Sequence, residues 1–326
     1  MCNEQAETGH LEILLARLGA GLDQYLKFEH PDALHPGNHW REFLETPLPQ
    51  QGVGIEQVTQ DLIEQIIPNG SPVPRPGYSS FITNGSTTAS TLASTAASIA
   101  SPQRYMHTAF NFLEELSLQW LAEMCGIKGM QGVYSSGGSV ANLIALGGAR
   151  QFAFEKAGHD PAADGVNRQA FVYASEECHH TIQRSCGVLG LGRHAVKLIA
   201  CDREGRMKPE ALQRAIAEDR ATGRLPIAIV ANAGTTNTGA IDPLQALGEI
   251  AAEHSIWFHV DGAYGLPGIL DEQVSHLFEG LTLADSVIVD PHKWLGASVG
   301  IAATFVRDRQ ILYRASVSYT HLRAHE

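Results

Sequence analysis

Short apolar runs alternate with longer amphipathic segments along the chain after residue 125. The runs have the length of buried strands, and the segments between them repeat their apolar residues at helical spacing. Strands that alternate with helices in this way form a mostly parallel sheet with helices on both faces. The pattern therefore predicts an α/β fold with about seven strands, at residues 133–134, 170–173, 198–200, 226–231, 256–260, 286–289 and 300–305.

Helical periodicity also precedes the sheet and continues between its strands. The predicted helices cover residues 11–28, 55–67, 85–101, 112–125, 139–150, 180–189 and 209–218. Asp242 and Pro243 have the residue types of an N-cap and a first helical residue, and they predict a helix that ends at residue 254. A proline-rich link at residues 72–76 follows the first helices. We therefore expect an N-terminal helical arm (1–75), a large domain (76–315) and a tail (316–326).

The composition narrows the class of protein. A net charge of −12 disfavours nucleic acid or an anionic membrane as a main partner. The five cysteines are odd in number and lack C-x-x-C spacing, which indicates reduced thiols and neither a disulfide framework nor a zinc site. Pro36 and Gly37 interrupt any helix that would align His30, His35 and His39, so we expect a linker there and no metal site. With no signal peptide and no apolar run of membrane length, we expect a cytoplasmic enzyme.

Residues 290–294, Asp-Pro-His-Lys-Trp, carry the most informative chemistry in the chain. Pro291 lacks an N–H and ends the apolar strand before it, so residues 292–294 are expected on a loop at the carboxyl edge of the sheet. Open α/β sheets bind their ligands at that edge. Apolar and aromatic neighbours shift a lysine towards the neutral amine that attacks carbonyl groups. Taken alone, a lysine at this position is more often an ordinary residue of a surface loop, so the assignment depends on the rest of the chain.

Asp261 ends the apolar strand upstream of that lysine. A strand-end carboxylate can pair with the protonated ring nitrogen of a cofactor, although an aspartate by itself more often caps a turn or a helix. An anion for a pyridinium and an amine for an aldehyde are the two groups that pyridoxal 5′-phosphate needs. Asp261 and Lys293 together therefore predict a site for this cofactor.

A phosphate group also needs a cradle, and residues 132–143 offer one. Their glycines allow a close approach of the backbone, and Ser139 opens a predicted helix whose N-terminus favours an anion. A glycine-rich turn before a helix is weak evidence by itself. The segment lacks the Lys-Ser/Thr ending of a P-loop and the spacing of G-x-G-x-x-G, which argues against a nucleotide site.

These segments, in this order and spacing, resemble the group II pyridoxal-phosphate-dependent amino acid decarboxylases. That family has Asn-Pro-His-Lys-Trp-like and His-Val-Asp-Ala-Ala-Tyr-like segments, which here are residues 290–294 and 259–264. The resemblance covers about residues 48–314. It implies a fold-type I, transferase-like α/β domain, an L-amino acid substrate that loses carbon dioxide to give an amine, and a homodimer in which the N-terminal arm packs against the partner.

The resemblance implies catalytic and cofactor-binding roles for the residues that match the family motifs. Lys293 would form the Schiff base with the cofactor, and Asp261 would keep its pyridine nitrogen protonated. Gly138 and Ser139 would bind the phosphate. His292 matches the histidine that precedes the lysine and lies near the phosphate.

Two further matches have simpler alternatives. His179 matches the histidine that stacks on the cofactor ring. Adjacent histidines on a helix or strand point in different directions, so His179 and His180 are not expected to serve one site together, and one of them is expected to be a cap or surface residue. Thr236 matches the threonine beside the cofactor. Thr235 and Thr236 follow a strand, however, and their hydroxyl groups also suit an ordinary turn.

The substrate class rests on weaker features. Residues 75–84 take the place of the family's His-Pro-aromatic segment, with Arg75 instead of the usual histidine. Tyr78 and Phe81 could line an apolar pocket, which favours an aromatic substrate. Another pyridoxal-phosphate enzyme of the same fold, such as an aminotransferase, an aldolase or a desulfurase, remains an alternative.

The end of the chain departs from the family pattern. Members continue well past the lysine into a small C-terminal domain and a mobile loop with a catalytic tyrosine, whereas residues 317–326 have no apolar period. We therefore expect a truncated chain that lacks the small domain, and a genuine short terminus is the alternative. A non-catalytic remnant that acts as a binding partner is also consistent with this ending.

Overall fold

The structure is a computed structural model that describes residues 11–27, 39–71, 73–79, 82–101 and 108–316. The chain divides into two compact units, Met1–Gly85 and Ser86–Glu326. His30, His35, Phe81 and residues 317–326 lie outside the described residues. The boundary expected at residue 75 and the roles expected of these residues stay predictions.

The first unit consists of helices. Its described helices are α1 (Leu11–Tyr25), α2 (His39–Leu44) and α3 (Ile55–Asp61), with α3 continued by a π-helical turn (Leu62–Ile66) and a 3-10 turn (Ile67–Asn69). The sequence predicts one regular helix over residues 55–67, and this is wrong for its second half. Pro68 has no N–H to donate, so the regular ladder does not continue through it.

The second unit contains the remaining described α-helices, together with 3-10 turns at Arg193–Ala195, Leu266–Leu270, Ser275–Phe278 and Leu281–Leu283. The α-helices are α4 (Thr88–Ala100), α5 (Ala109–Met124), α6 (Gly138–Lys156), α7 (Pro161–Asp164), α8 (Thr181–Val188), α9 (Pro209–Ala221), α10 (Leu244–His254), α11 (Pro291–Trp294) and α12 (Gln310–Ser316). The N-cap of α4 is Thr87, whose side chain accepts a hydrogen bond from the N–H of Ser90 at 3.2 Å. None of the described helices is both long enough and apolar enough to cross a membrane.

A single seven-stranded sheet organises the second unit. Its strands are β1 (Gln131–Ser135), β2 (Ala170–Ser175), β3 (Val196–Ile199), β4 (Leu225–Asn232), β5 (Trp257–Asp261), β6 (Ser286–Val289) and β7 (Ala302–Val306). They lie in the order β1-β7-β6-β5-β4-β2-β3. Only β7 pairs antiparallel with its neighbours, β1 and β6. The predicted fold class, a mostly parallel seven-stranded α/β sheet, is confirmed.

Helices cover both faces of this sheet, as the side chains of β4 show. Ile229 and Ala231 point into one buried cluster, which is completed by α5, α9 and α10. Ala228 and Val230 point into a second cluster on the opposite face, which is completed by α6, α8 and α12. Successive residues of a strand alternate between faces, so a strand buried on both sides is apolar at every position. This explains why the strands are visible in the sequence as continuous apolar runs.

The expectation that Asp242 caps α10 is wrong. The helix begins at Leu244, and Pro243 occupies its N-cap position. The Asp242 carboxylate instead accepts hydrogen bonds from the N–H of Met207 at 2.6 Å and from the N–H and side-chain amide of Asn232 at 2.7 and 3.0 Å. Asp242 is 1% exposed, and this burial raises its pKa. The side chain therefore ties β4 to the segment after β3.

We predict that Asp242→Ala lowers the free energy of unfolding by at least about 2 kcal/mol, because two buried N–H groups lose their acceptor. Urea unfolding at neutral pH measures the difference. Asp164→Ala, which removes an exposed carboxylate, serves as the control and should change little. Equal stability of the two variants would contradict the tying role of Asp242.

Candidate active site

A cavity of about 440 Å³ opens at one edge of the sheet. Because β1, β2, β4, β5 and β6 run parallel, their carboxyl ends meet at this edge. One or more residues at or just after each of these strand ends line the cavity: Ser136, His179, Asn232, Asp261 and Asp290. The topology thus collects polar side chains from segments that are far apart in the sequence.

The seven residues that match the family's catalytic and cofactor-binding positions all line this one cavity. They are Gly138, Ser139, His179, Thr236, Asp261, His292 and Lys293. The structure therefore brings the candidates together, while the role of each stays a proposal.

The cradle lies where α6 begins. The helix starts at Gly138, one residue before the predicted Ser139, and its N-cap is Gly137 with φ +139°. A Cβ at Gly138 would lie 2.7 Å from Oδ2 of Asp290, so only glycine allows this approach without a shift. The first N–H groups of a helix have no partners within it and carry the positive end of its dipole. The wall at Gly138 and Ser139 is therefore suited to an anion.

Lys293 lies on a short helix and not on the expected loop. Pro291 ends the strand, as predicted, but its fixed φ also suits the first turn of a helix, and residues 291–294 form α11. The Nζ atom of Lys293 lies 3.0 Å from Oδ2 of Asp290. Burial raises the pKa of Asp290, and the charge of Lys293 opposes that rise. Oδ1 of Asp290 is buried without a hydrogen-bond partner among the described residues.

Asp261 is the last residue of β5 and is 7% exposed. Its Oδ1 accepts a hydrogen bond from the N–H of Ala263 at 3.1 Å, and its Oδ2 accepts one from Nδ2 of Asn142 at 2.9 Å. Both partners are donors, which suits an ionised carboxylate. The side chain is therefore held in one orientation at the cavity wall.

His179 lines the cavity, whereas His180 lines a separate surface pocket. Their ring centroids lie 4.1 Å apart, but His180 is exposed and does not line the cavity. Neither residue lies inside a strand or a helix, and His180 occupies the N-cap position of α8. Burial lowers the pKa of His179, and the neighbouring His180 lowers it further. A neutral ring at His179 follows.

The two threonines of the loop after β4 have different surroundings, and the sequence leaves open whether they serve a turn or the cofactor. The hydroxyl of Thr235 lies 2.7 Å from that of Thr238 and accepts a hydrogen bond from the N–H of Ala240 at 3.2 Å, which is turn chemistry. Thr236 is exposed and lines the cavity. On the lysine side, Nδ1 of His292 lies 2.7 Å from the carbonyl oxygen of Ile301 and must donate to it.

Sequence reasoning missed the residues behind the cavity wall. Asn142 lines the cavity and contacts Asp261, but it lies in the cradle segment without a motif to mark it. His259 is completely buried and lies 2.9 Å from Asn142. One signal was available for it. Residues two apart on a strand share a face, so His259 was bound to lie on the face of β5 that carries Asp261.

Comparisons with known proteins agree with this geometry. The pyridoxal-dependent decarboxylase conserved domain matches residues 36–326. An aromatic-L-amino-acid decarboxylase of Bacillus atrophaeus is 38% identical over 201 residues, which are 61% of this chain and 40% of that protein. A cysteine sulfinic acid decarboxylase of Mus musculus is 36% identical over 63% of this chain and 41% of its own length. A crystal structure of mouse CSAD superposes with a TM-score of 0.83 at 27% identity, over 96% of this chain and 67% of that one.

The chain belongs to the pyridoxal-dependent decarboxylase family. The aligned segments make up about two fifths of the two curated relatives. The residues of the cavity fit the cofactor after which the family is named, because an amine, a carboxylate and a helix N-terminus surround one space. A Cβ at Gly137, the residue before the helix, would meet nothing within 4 Å, so the turn has open space at that position.

Because His259 is buried, we predict that the free energy of unfolding decreases as the pH falls. Burial lowers the pKa of His259 from 6.5 to about 4. Because the folded-state pKa lies below the unfolded one, the contribution to stability is complete above a pH of about 6.5 and is lost as the pH falls towards about 4. We expect His259→Gln to remove this part of the pH dependence, as measured by urea unfolding across that range.

The pH dependence of His259→Gln must be compared with that of the unmutated protein (the parent), because the buried Asp242 and Asp290 have raised pKa values. Their contribution to stability changes with pH in the opposite sense and is present in both proteins. His276→Gln, at an exposed histidine, is the matched control. Stability curves of parent and His259→Gln that stay parallel with pH would contradict the prediction.

Proposed function

We propose that this chain provides the cofactor-binding part of an enzyme that converts an L-amino acid to its amine and carbon dioxide with pyridoxal 5′-phosphate. The single observation that carries the proposal is that Lys293 and Asp261 line the same cavity as the N-terminus of α6. Membership of the decarboxylase family supports the reaction class.

In this proposal Lys293 binds the cofactor aldehyde through its amine, and the Asp290 carboxylate at 3.0 Å positions that amine. Asp261 pairs with the pyridine nitrogen. Gly138 and Ser139 at the start of α6 bind the phosphate through their N–H groups. Each role uses a group that already lines the cavity.

The side walls of the cavity complete the arrangement. His179 would lie against the cofactor ring as a neutral imidazole, consistent with its lowered pKa. Thr236, which is exposed at the rim of the cavity, would lie beside the cofactor. His292, whose ring is oriented by the carbonyl group of Ile301, would lie near the phosphate.

When bound, pyridoxal phosphate supplies an electron sink for the bond that breaks at the substrate's α-carbon. The protein's part is orientation and electrostatics. Asp261 holds a proton on the pyridine nitrogen, and its fixed hydrogen bonds to Ala263 and Asn142 avoid reorganisation during the reaction. The cavity walls orient the substrate so that the bond to its carboxylate is the one that breaks.

We propose an aromatic L-amino acid as the favoured substrate. The similarity to the aromatic-L-amino-acid decarboxylase of Bacillus atrophaeus supports this choice, while the cysteine sulfinic acid decarboxylase of Mus musculus represents an acidic alternative. Among the described residues, the aromatic side chain that lines the cavity is Tyr264, whose ring packs edge-on against Trp294 at 5.8 Å. Carbon dioxide release from a panel of aromatic and acidic amino acids separates the two classes, and keto-acid formation would indicate an aminotransferase instead.

We further propose a cytoplasmic homodimer. The exposed apolar side chains of α5 support a partner surface, since Phe112 is 69% exposed and Trp120 is 52% exposed. Sedimentation of the purified protein tests the dimer directly, and a monomer at all concentrations would exclude it.

We predict that Lys293→Ala abolishes the visible absorption band that develops when pyridoxal phosphate is added to the purified protein. Borohydride reduction of the parent should then fix the cofactor on Lys293, as peptide mass mapping would show. Lys128→Ala, at an 80% exposed lysine side chain, is the control and should keep the band. Reductive labelling of a different lysine would overturn the assignment.

We predict that Asp261→Asn lowers carbon dioxide release by the whole enzyme by at least about 100-fold, because a preorganised charge beside the ring nitrogen is lost. The two side chains have similar size, so circular dichroism should show a retained fold. Asp271→Asn, at an exposed aspartate, is the matched control. Turnover near that of the parent would mean that Asp261 only organises the turn at Ala263.

A further inference from the structure

A continuous set of hydrogen bonds, fully buried except at its His179 end, connects Trp257 inside the second unit to two residues of the cavity. We call it the Asn142 network, and its members are Trp257, Ser286, His259, Asn142, Asp261, Thr181 and His179. Trp257, His259 and Asp261 lie two residues apart and share one face of β5, and Ser286 is the partner of His259 on β6. The network therefore runs along this face towards the carboxyl edge.

Trp257 and Asp261, at two ends of the network, determine which atom donates in each hydrogen bond between them. The indole Nε1 of Trp257 can only donate, so Oγ of Ser286, at 2.8 Å, accepts from it. At the other end the Asp261 carboxylate accepts, so the amide nitrogen of Asn142 faces it at 2.9 Å. A flipped Asn142 would place a carbonyl oxygen against a carboxylate, which is repulsive.

The middle of the network then has one consistent arrangement. With its nitrogen on Asp261, Asn142 turns its carbonyl oxygen to Nε2 of His259 at 2.9 Å, and Nε2 must carry the proton. A neutral ring has its acceptor at Nδ1, and the hydroxyl of Ser286 donates to it at 2.9 Å. Complete burial disfavours the cationic ring and lowers the pKa of His259.

Asn142 is also the branch point towards the second cavity residue. Its amide nitrogen lies 3.2 Å from the hydroxyl oxygen of Thr181, which accepts the second amide proton. The Thr181 hydroxyl then donates its own proton to Nδ1 of His179 at 2.9 Å. The N–H of Thr181 also donates to Nδ1, at 3.4 Å. The proton of the neutral His179 ring consequently lies on Nε2.

We propose that Asn142 is a positioning residue that orients both Asp261 and His179, through a network whose proton directions are set from Trp257 to His179. It would present Asp261 as an acceptor to the cofactor ring and hold His179 in its Nε2–H tautomer. The meaning of this for catalysis rests on the proposed function, but the proton arrangement itself does not. Every member of the network is a side chain of this chain, so the proposed arrangement can be tested in the cofactor-free protein.

The first measurement is the tautomer of each buried histidine, from ¹⁵N chemical shifts of the rings in cofactor-free protein at neutral pH. His179→Gln and His259→Gln assign the two signals, and the exposed His276 serves as a reference in the same spectrum. We expect both buried rings to be neutral with the proton on Nε2. A cationic ring, or a proton on Nδ1 of either residue, would overturn the proposal.

Three substitutions then separate the branches. Thr181→Val removes the hydroxyl at nearly constant volume and should change the His179 signals while those of His259 stay unchanged. Ser286→Ala should change the His259 signals alone. Asn142→Leu should change both. Ser175→Ala, which removes another buried hydroxyl whose partner is Asn232, is the matched control and should change neither.

The second measurement is the dissociation constant of pyridoxal phosphate, from an absorbance titration. Asn142→Leu removes an orienting hydrogen bond to Asp261, so we expect its dissociation constant for pyridoxal phosphate to rise roughly tenfold. Ser175→Ala should bind the cofactor as tightly as the unmutated protein. If the tautomers follow the expected pattern but the parent binds no cofactor, the network stands and the proposed function fails. If the parent binds the cofactor but Asn142→Leu changes neither histidine signal, the network proposal is contradicted while the proposed function is not. Should Asn142→Leu not fold, Thr181→Val and Ser286→Ala still decide the outcome.

Discussion

The parallel direction of β2, β4, β5 and β6 is the constraint on which the rest of the structure depends. Their paired carboxyl ends bring Asn232 and Asp261 into register at one edge, and the segments that follow β2 and β6 add His179 and Lys293. Parallel strands require crossover connections, and the helices in most of these connections bury both faces of the sheet. The edge is therefore where polar groups can gather beside an open cavity.

Burial then controls the protonation of the gathered groups. It lowers the pKa of His259 and of His179, and it raises the pKa of Asp290 beside Lys293. Histidines whose pKa values are lowered and an aspartate whose pKa is raised therefore lie at or behind the wall of the same cavity, and in each case burial favours the uncharged form. Hydrogen bonds from Asn142 and Ala263 supply the donors that an Asp261 carboxylate needs under these conditions.

Much of the fold and part of the candidate site could be predicted from local pattern. The apolar runs located all seven strands, and motif spacing pointed to Lys293 and Asp261, because strand-end chemistry leaves a local signature. The cap at Asp242 and the loop at residues 292–294 were wrong. In both cases the local residue types suit more than one structure, and a distant partner or the helical φ of Pro291 decided between them.

The sequence by itself determined the sheet, its helical layers and the identity of the residues at the strand ends, because periodicity and strand-breaking residues act over a few neighbours. Only the tertiary structure decided which polar groups pair behind the cavity. Asn142 meets His259 across 117 residues, and His259 meets Ser286 across 27. No local preference encodes such pairs. They form because burial removes the water that would otherwise bind these side chains, and the fold brings complementary donors and acceptors within reach of one another.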